Sequence, residues 1–112
     1  MEATTGVLIL AGGKSERMIF PKPYLLFEGE TFLKKIVEEY HNAGIKSICV
    51  IINEEFCKGK FEKFIDEVES KTIIIKNPNP ELGRFHSLKL GLANILNLDF
   101  CFIQNIDNPF VN

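Results

Sequence analysis

The run Val7-Leu-Ile-Leu-Ala11, followed directly by Gly12-Gly13, decides the fold of this 112-residue chain. Five uninterrupted apolar residues that end in two glycines are typical of a β-strand buried on both faces and of the loop that leaves it. The run is far too short to cross a bilayer. A strand of this kind needs apolar cover on both faces, so the rest of the chain must supply it.

Three further apolar runs, at residues 48–52, 72–75 and 100–106, predict three more strands. Between the four strands, apolar residues recur at helical spacing in three groups: Phe32, Leu33, Ile36, Val37 and Tyr40; Cys57, Phe61, Phe64, Ile65 and Val68; and Phe85, Leu88, Leu92 and Ile95. Residues 14–29 are predicted to be irregular, and residues 77–80, with two prolines, to form a loop. The order β-α-β-α-β-α-β predicts an α/β fold with a Rossmann-like, doubly wound and mainly parallel sheet.

Composition and charge describe a single domain over residues 1–112. The chain has 13 Lys+Arg against 15 Asp+Glu, and 46% of its residues are hydrophobic. This balance argues against disorder and against an electrostatic binder of nucleic acid. With no long apolar segment and no cleavable leader, the sequence predicts a cytoplasmic protein without a membrane partner. Cys49, Cys57 and Cys101 form no CxxC pair; we expect reduced thiols, with Cys49 and Cys101 buried in apolar runs.

Ligands of an open parallel sheet bind beyond the carboxyl ends of its strands, where the strand order reverses. We predict that three segments lie at this carboxyl edge of the sheet: Gly12-Gly13, residues 77–87 and Asp107. Two consecutive glycines can turn main-chain N–H groups toward an anion, and Lys14, Arg17 and Lys22 follow closely enough to add positive charge. A tight turn beside solvated lysines is the alternative. A P-loop is excluded because its first glycine would fall on Leu8, and the glycine spacing of a dinucleotide fingerprint is absent.

The same loop is similar to a nucleotidyltransferase signature, L-A-[AG]-G-x-[GS]-x-R-M followed by P-K. The matching residues are Leu10, Ala11, Gly12, Gly13, Ser15, Arg17, Met18, Pro21 and Lys22. Further motifs follow in the family's order: Asn77-Pro-Asn-Pro-Glu-Leu-Gly83, Ser87-Leu-Lys-Leu-Gly-Leu92 and Asp107-Asn-Pro109. The chain thus resembles the MobA-like NTP transferases, most of all their molybdenum-cofactor cytidylyltransferase-like branch, and corresponds to the N-terminal part of that nucleotide-diphospho-sugar transferase-like fold. It departs from the pattern at Ile19, where the family usually has glycine.

The resemblance implies a Mg²⁺-dependent nucleotidyltransferase. Such an enzyme transfers an NMP from an NTP, with CTP or GTP favoured, to a phosphorylated acceptor such as a molybdopterin or a sugar phosphate, and releases pyrophosphate. By the same resemblance, the nucleotide is bound by Leu10, Ala11, Gly12, Gly13, Lys22 and Ser87. Arg17 and Lys22 neutralise the phosphates as catalytic residues, and Asp107 binds Mg²⁺.

Each role has an alternative from the residues themselves. Lys22 between two prolines could be an exposed lysine on a stiff segment, Ser87 could only start a helix, and Asp107 could only form a turn. A non-catalytic nucleotide-binding regulatory or assembly domain of the same fold is the alternative for the chain as a whole.

The last predicted strand ends six residues before Asn112, with no helix following to cover it. We therefore expect an interrupted domain that keeps a nucleotide half-site, turns over little by itself, and forms a homo-oligomer through its uncovered strand. Gln104 and Asn105 in this strand are either a polar lining of the site or a half-exposed strand end.

Overall fold

The computed structural model describes residues 5–11, 22–79, 82–94 and 99–106. Within these ranges the chain forms six strands and three α-helices. In chain order they are β1 (Thr5–Ala11), β2 (Leu26–Phe27), β3 (Glu30–Thr31), α1 (Phe32–Asn42), β4 (Ser47–Asn53), α2 (Glu62–Glu69), β5 (Ile73–Asn77), α3 (Arg84–Leu92) and β6 (Phe100–Asn105).

Four of the strands form one parallel sheet in the order β5-β4-β1-β6. From β1 the chain moves outward through β4 to β5, and α3 then carries it back across to the other side of β1. The strand order therefore reverses between β1 and β6, which is the place where doubly wound sheets bind ligands. The α/β prediction is confirmed, and the first apolar run of the sequence lies in the interior of the sheet.

Both faces of the sheet are covered, which explains why β1 and β4 are apolar without alternation. Val7 and Ile9 of β1 lie in the core on the side of α1 and α2, whereas Leu8 and Leu10 lie on the side of α3. From α1 and α2, the residues Leu33, Ile36, Val37, Ile65 and Val68 are buried against the first side. Each such fully buried aliphatic side chain contributes about 1.5–3 kcal/mol.

Helix α3 packs unusually close to the sheet, at Gly91. A Cβ atom on this residue would lie 2.7 Å from Leu8 Cδ2 and 2.8 Å from Ile51 Cδ1. The predicted apolar stripe of this helix is confirmed at Leu88, which packs against the core, but it is wrong at Phe85, which is 82% exposed. Ser87 is buried instead, and the glycine at position 91 allows the close approach to the sheet.

Two segments differ from their sequence-based description. The described part of residues 14–29 is not irregular: it contains a short 3₁₀ turn at Lys22–Tyr24 and strand β2, which pairs antiparallel with β3. Glu28 and Gly29 between these strands both have positive φ, 54° and 84°, as a tight hairpin turn of type I′ requires. The second helix begins later than its apolar stripe predicts, because 3₁₀ turns at Glu54–Cys57 and Gly59–Phe61 precede α2.

Strand β6 borders the described sheet and is less buried than its sequence suggests. Phe102 and Ile103 are 57% and 46% exposed. Cys101 is also exposed, so the prediction that it is a buried apolar residue is wrong, whereas Cys49 on the interior strand β4 is buried as predicted. A strand with a neighbour on one side only is less enclosed than an interior strand. In the described ranges, no helix has the length and apolarity needed to cross a membrane.

Candidate functional site

Strands β1 and β6 stay hydrogen-bonded up to the carboxyl edge of the sheet. Asn105 pairs with Leu10 in register, and the Ile106 N–H donates to the Leu10 carbonyl oxygen at 3.1 Å. The side chains of Leu10 and Ala11 are buried, with 5% and 3% exposed. Contacts from these two residues to a ligand would thus come mainly from the main chain. In the sequence, Gly12 directly follows β1, and Asp107 comes two residues after the end of β6.

Four of the predicted site residues, Gly12, Gly13, Arg17 and Asp107, lie outside the described residues. Their roles stay predictions. The structure describes the other four predicted site residues: Leu10, Ala11, Lys22 and Ser87. Of Lys22 it describes the main chain only.

Lys22 opens a 3₁₀ turn that is anchored by Tyr24. Tyr24 is fully buried, and its hydroxyl donates to the Phe56 carbonyl oxygen at 2.5 Å. Its ring stacks on Phe61 and Phe64, with centroid distances of 5.6 Å and 4.7 Å. Because Phe56 lies only three residues beyond the last residue of β4, this bond fixes the main chain of Lys22 near the carboxyl edge.

Burial, with a smaller contribution from the Cys57 thiol, raises the pKa of the Tyr24 phenol far above its ordinary value. The hydroxyl therefore remains a donor at any physiological pH. The sequence analysis did not identify Tyr24. It could have been found as the aromatic residue that directly follows Lys22 and Pro23 of the resembled motif. An aromatic side chain at this position can be buried and so hold the main chain of the lysine in place.

Ser87 is brought to the carboxyl edge by a buried hydrogen bond. Asn77, the last residue of β5, donates from its side-chain Nδ2 to Ser87 Oγ at 3.1 Å. The Oδ1 atom of Asn77 accepts a hydrogen bond from the Asn79 N–H at 2.9 Å. Asn77 is fully buried and Ser87 is 5% exposed. The structure therefore joins two of the sequence motifs, and it gives Asn77 a contact that the sequence alone did not predict.

This arrangement matches a known family. The model of the MobA-like NTP transferase domain family matches residues 7–112. The chain belongs to this family. The resemblance drawn from the loop and its following motifs is thereby confirmed, while the preference for the cytidylyltransferase-like branch stays a prediction.

Individual relatives of this MobA-like domain agree with the family. The bifunctional IPC transferase and DIPP synthase of Thermococcus kodakarensis is 33% identical over 89 residues, which make up 79% of this chain and 20% of that protein. The 2-C-methyl-D-erythritol 4-phosphate cytidylyltransferase of Thermosipho melanesiensis is 28% identical over 109 residues, 94% of this chain and 48% of that protein. The chain thus spans between a fifth and about half of the length of these relatives.

A solved structure supports the fold of the MobA-like domain. The CTP:phosphocholine cytidylyltransferase of Streptococcus pneumoniae superposes with a TM-score of 0.70 at 20% identity, covering 93% of this chain and 45% of that one. At this identity the likeness establishes the fold alone. The parallel sheet and its flanking helices are therefore those of a nucleotidyltransferase fold.

Asparagine ends three of the four strands of the parallel sheet at the carboxyl edge: Asn53 on β4, Asn77 on β5 and Asn105 on β6. Asn53 Oδ1 accepts from the Glu55 N–H at 3.0 Å. Among the described residues, no three His, Cys, Asp or Glu side chains cluster to hold a metal. The role of Asp107 in binding Mg²⁺ therefore stays a prediction.

Gln104 is half-buried near the end of β6, which fits the half-exposed strand end considered for it. Its Oε1 accepts a hydrogen bond from the Tyr40 hydroxyl at 2.9 Å, which ties β6 to α1. Gln104 is therefore partly buried between strand and helix.

The cysteines of the MobA-like domain are not activated nucleophiles. Burial, with a smaller contribution from the Cys101 thiol, raises the pKa of Cys49 from 9.0 to about 11. Burial is also the main cause of the raised pKa values of Cys57 and Cys101. Since the thiolate is the reactive form, all three thiols are poorly reactive at neutral pH.

Proposed function

We propose that this chain is the nucleotide-binding part of a cytidylyltransferase that acts on a phosphorylated small alcohol. In this reaction a phosphate oxygen of the acceptor attacks the α-phosphorus of CTP, the bond to the β-phosphate oxygen breaks, and pyrophosphate leaves. Membership of the MobA-like family supports nucleotidyl transfer. The choice of CTP and of an alcohol phosphate rests on relatives named for 2-C-methyl-D-erythritol 4-phosphate and for phosphocholine.

The observation that carries the proposal is the convergence at one sheet edge of three elements. The main chain at Leu10 and Ala11, the anchored turn of Lys22 and the hydroxyl of Ser87 all lie toward the carboxyl ends of the strands. Nucleotidyl transfer depends on well-oriented phosphates and on positive charge that stabilises the transition state, and it does not need a covalent nucleophile from the protein. In this proposal Arg17 and Lys22 supply the charge.

Magnesium enters the proposal through Asp107, which follows the hydrogen-bonded end of β6. Mg²⁺ keeps several of its waters and binds through one or two carboxylates together with phosphate oxygens. The single carboxylate of Asp107 is thus sufficient as a protein ligand for Mg²⁺ carried by the nucleotide.

Calorimetric titration of the 112-residue chain with CTP, GTP, UTP and ATP, each with and without Mg²⁺, tests the nucleotide site. We expect CTP to bind most tightly and Mg²⁺ to strengthen its binding. A coupled pyrophosphate assay with phosphocholine and 2-C-methyl-D-erythritol 4-phosphate then tests transfer. Failure to bind any NTP would contradict the proposal, whereas CTP binding with little pyrophosphate release is the result expected of a nucleotide half-site.

A further inference from the structure

The Asn77 side chain has a fixed orientation. The Asn79 N–H can only donate a hydrogen bond, so the amide atom that it approaches at 2.9 Å must be the oxygen. The NH₂ group is then the atom at 3.1 Å from Ser87 Oγ. Because NH₂ can only donate, Ser87 Oγ must accept in this pair.

An accepting Ser87 keeps its own hydroxyl hydrogen for another partner. Within the part of the chain that the structure describes, the only side-chain hydrogen bond of Ser87 is the one it accepts from Asn77. The residue is 5% exposed, and a buried donor without an acceptor costs free energy. This cost is removed when a ligand brings an acceptor atom to the site.

The position of Ser87 in α3 places this donor at the ligand-binding edge. Gly91 of the same helix lies against Leu8 and Ile51, in the middle of β1 and β4. Ser87 comes four residues earlier, which is about 6 Å along the helix axis, in the direction of the last residue of β5. The hydroxyl is therefore at the carboxyl edge rather than within the sheet core.

We propose that Asn77 is a positioning residue that makes Ser87 a hydrogen-bond donor to an acceptor atom of the bound NTP. The inference rests on the proposed nucleotide-binding function and gives Asn77 its part in it. The acceptor is an oxygen of the triphosphate or of the base, since both present lone pairs and no hydrogen.

Reversing the polarity of the pair tests this inference. Asn77→Asp keeps an oxygen for the Asn79 N–H but replaces the NH₂ donor by a second acceptor oxygen. The Ser87 hydroxyl then donates to residue 77 and is lost to the ligand. We expect Asn77→Asp and Ser87→Ala each to weaken CTP binding about tenfold or more, which is the effect of losing one hydrogen bond. Ser87→Thr, which keeps the hydroxyl, should retain most of the affinity.

A double-mutant cycle separates positioning from a merely structural role. Asn77→Asp should weaken CTP binding in the wild-type background and have little effect when Ser87 is already alanine. Asn53→Asp is the matched control, because Asn53 also accepts a main-chain N–H and pairs with Asn77 in register, so it adds the same charge at the same edge. Thermal unfolding of every variant confirms the folded state, and Asn77→Ala replaces Asn77→Asp in the cycle should the latter not fold.

Inorganic tripolyphosphate identifies the acceptor. If Ser87→Ala weakens tripolyphosphate and CTP to the same degree, the acceptor is a phosphate oxygen; if only CTP is weakened, it is the base. Two results would overturn the positioning role and leave the proposed function unaffected. One is that the residue-77 variant weakens CTP binding equally with serine and with alanine at position 87. The other is that Asn53→Asp weakens CTP binding as much as Asn77→Asp does. A chain that binds no NTP would overturn both.

Discussion

Replacing Gly91 by alanine should separate α3 from the sheet. The new Cβ would lie 2.7 Å from Leu8 Cδ2 and 2.8 Å from Ile51 Cδ1. Carbon atoms pack at about 3.5–4.0 Å, so the helix or both side chains must move by about 1 Å. Leu8 and Ile51 are fully buried, and protein interiors are close-packed, so such a shift disturbs their other contacts. Overpacking of this kind costs about 1–3 kcal/mol, against about 1 kcal/mol gained from the better helix propensity of alanine.

We therefore expect Gly91→Ala to lower the free energy of unfolding by about 1 kcal/mol. Lys89 on the exposed face of the same helix provides the control. Alanine at position 89 should be about 1 kcal/mol more stable than glycine there, because no sheet atom is near. Urea unfolding followed by circular dichroism measures the difference in stability between glycine and alanine at each of the two positions. If alanine stabilises the protein as much at position 91 as at position 89, the close approach does not limit the packing of α3.

Four further predictions concern the site and its supports. Tyr24→Phe keeps the ring stacking but leaves the half-buried Phe56 carbonyl without its donor, so urea unfolding should show a loss of about 1 kcal/mol. Lys22→Ala should lower pyrophosphate release about 10²-fold with normal folding, whereas Lys63→Ala on α2 should not; unchanged turnover would remove Lys22 from the mechanism. Asp107→Asn should weaken the Mg²⁺ dependence of CTP binding in calorimetry while stability stays within about 1 kcal/mol, and an unaltered dependence would leave Asp107 a turn residue. Folding raises the Cys49 pKa from 9.0 to about 11, so the thiol of the unfolded chain ionises first as the pH rises. The free energy of unfolding, measured with urea, should therefore fall between pH 9 and 11, and it should fall less in Cys49→Ala.

The parallel strands were predictable because burial on both faces leaves an uninterrupted apolar run, as at Val7-Leu-Ile-Leu-Ala11. Helix α3 was harder to predict in detail. Its sheet-facing side combines Leu88 with the small residues Ser87 and Gly91, while the large apolar Phe85 is exposed. A search for large residues at helical spacing therefore finds Leu88, misplaces Phe85 and misses the two small residues.

Part of the site was also accessible from the sequence. The spacing of the motifs placed Ser87 at the carboxyl edge, and the structure shows how it is held there by Asn77. That contact joins residues on different elements, and no local pattern contains it. The same holds for Tyr24, whose partner Phe56 is 32 residues away. The roles of Gly12, Gly13, Arg17 and Asp107 stay predictions.

Strand β1 precedes the other strands of the sheet in the sequence and is synthesised before them, but it lies in the interior of the sheet. Its two neighbouring strands, β4 and β6, come from much later in the chain. Gly6 pairs with Ser47, and Thr5 pairs with Phe100. Closing such long loops costs chain entropy before any pairing compensates for it, so folding should be slow for a domain of this size. During synthesis at about 5–20 residues per second, the stretch from Asn77 to Phe100 takes about 1–5 s. Over that interval the future middle of the sheet is an open strand edge, able to pair with any other chain that offers one.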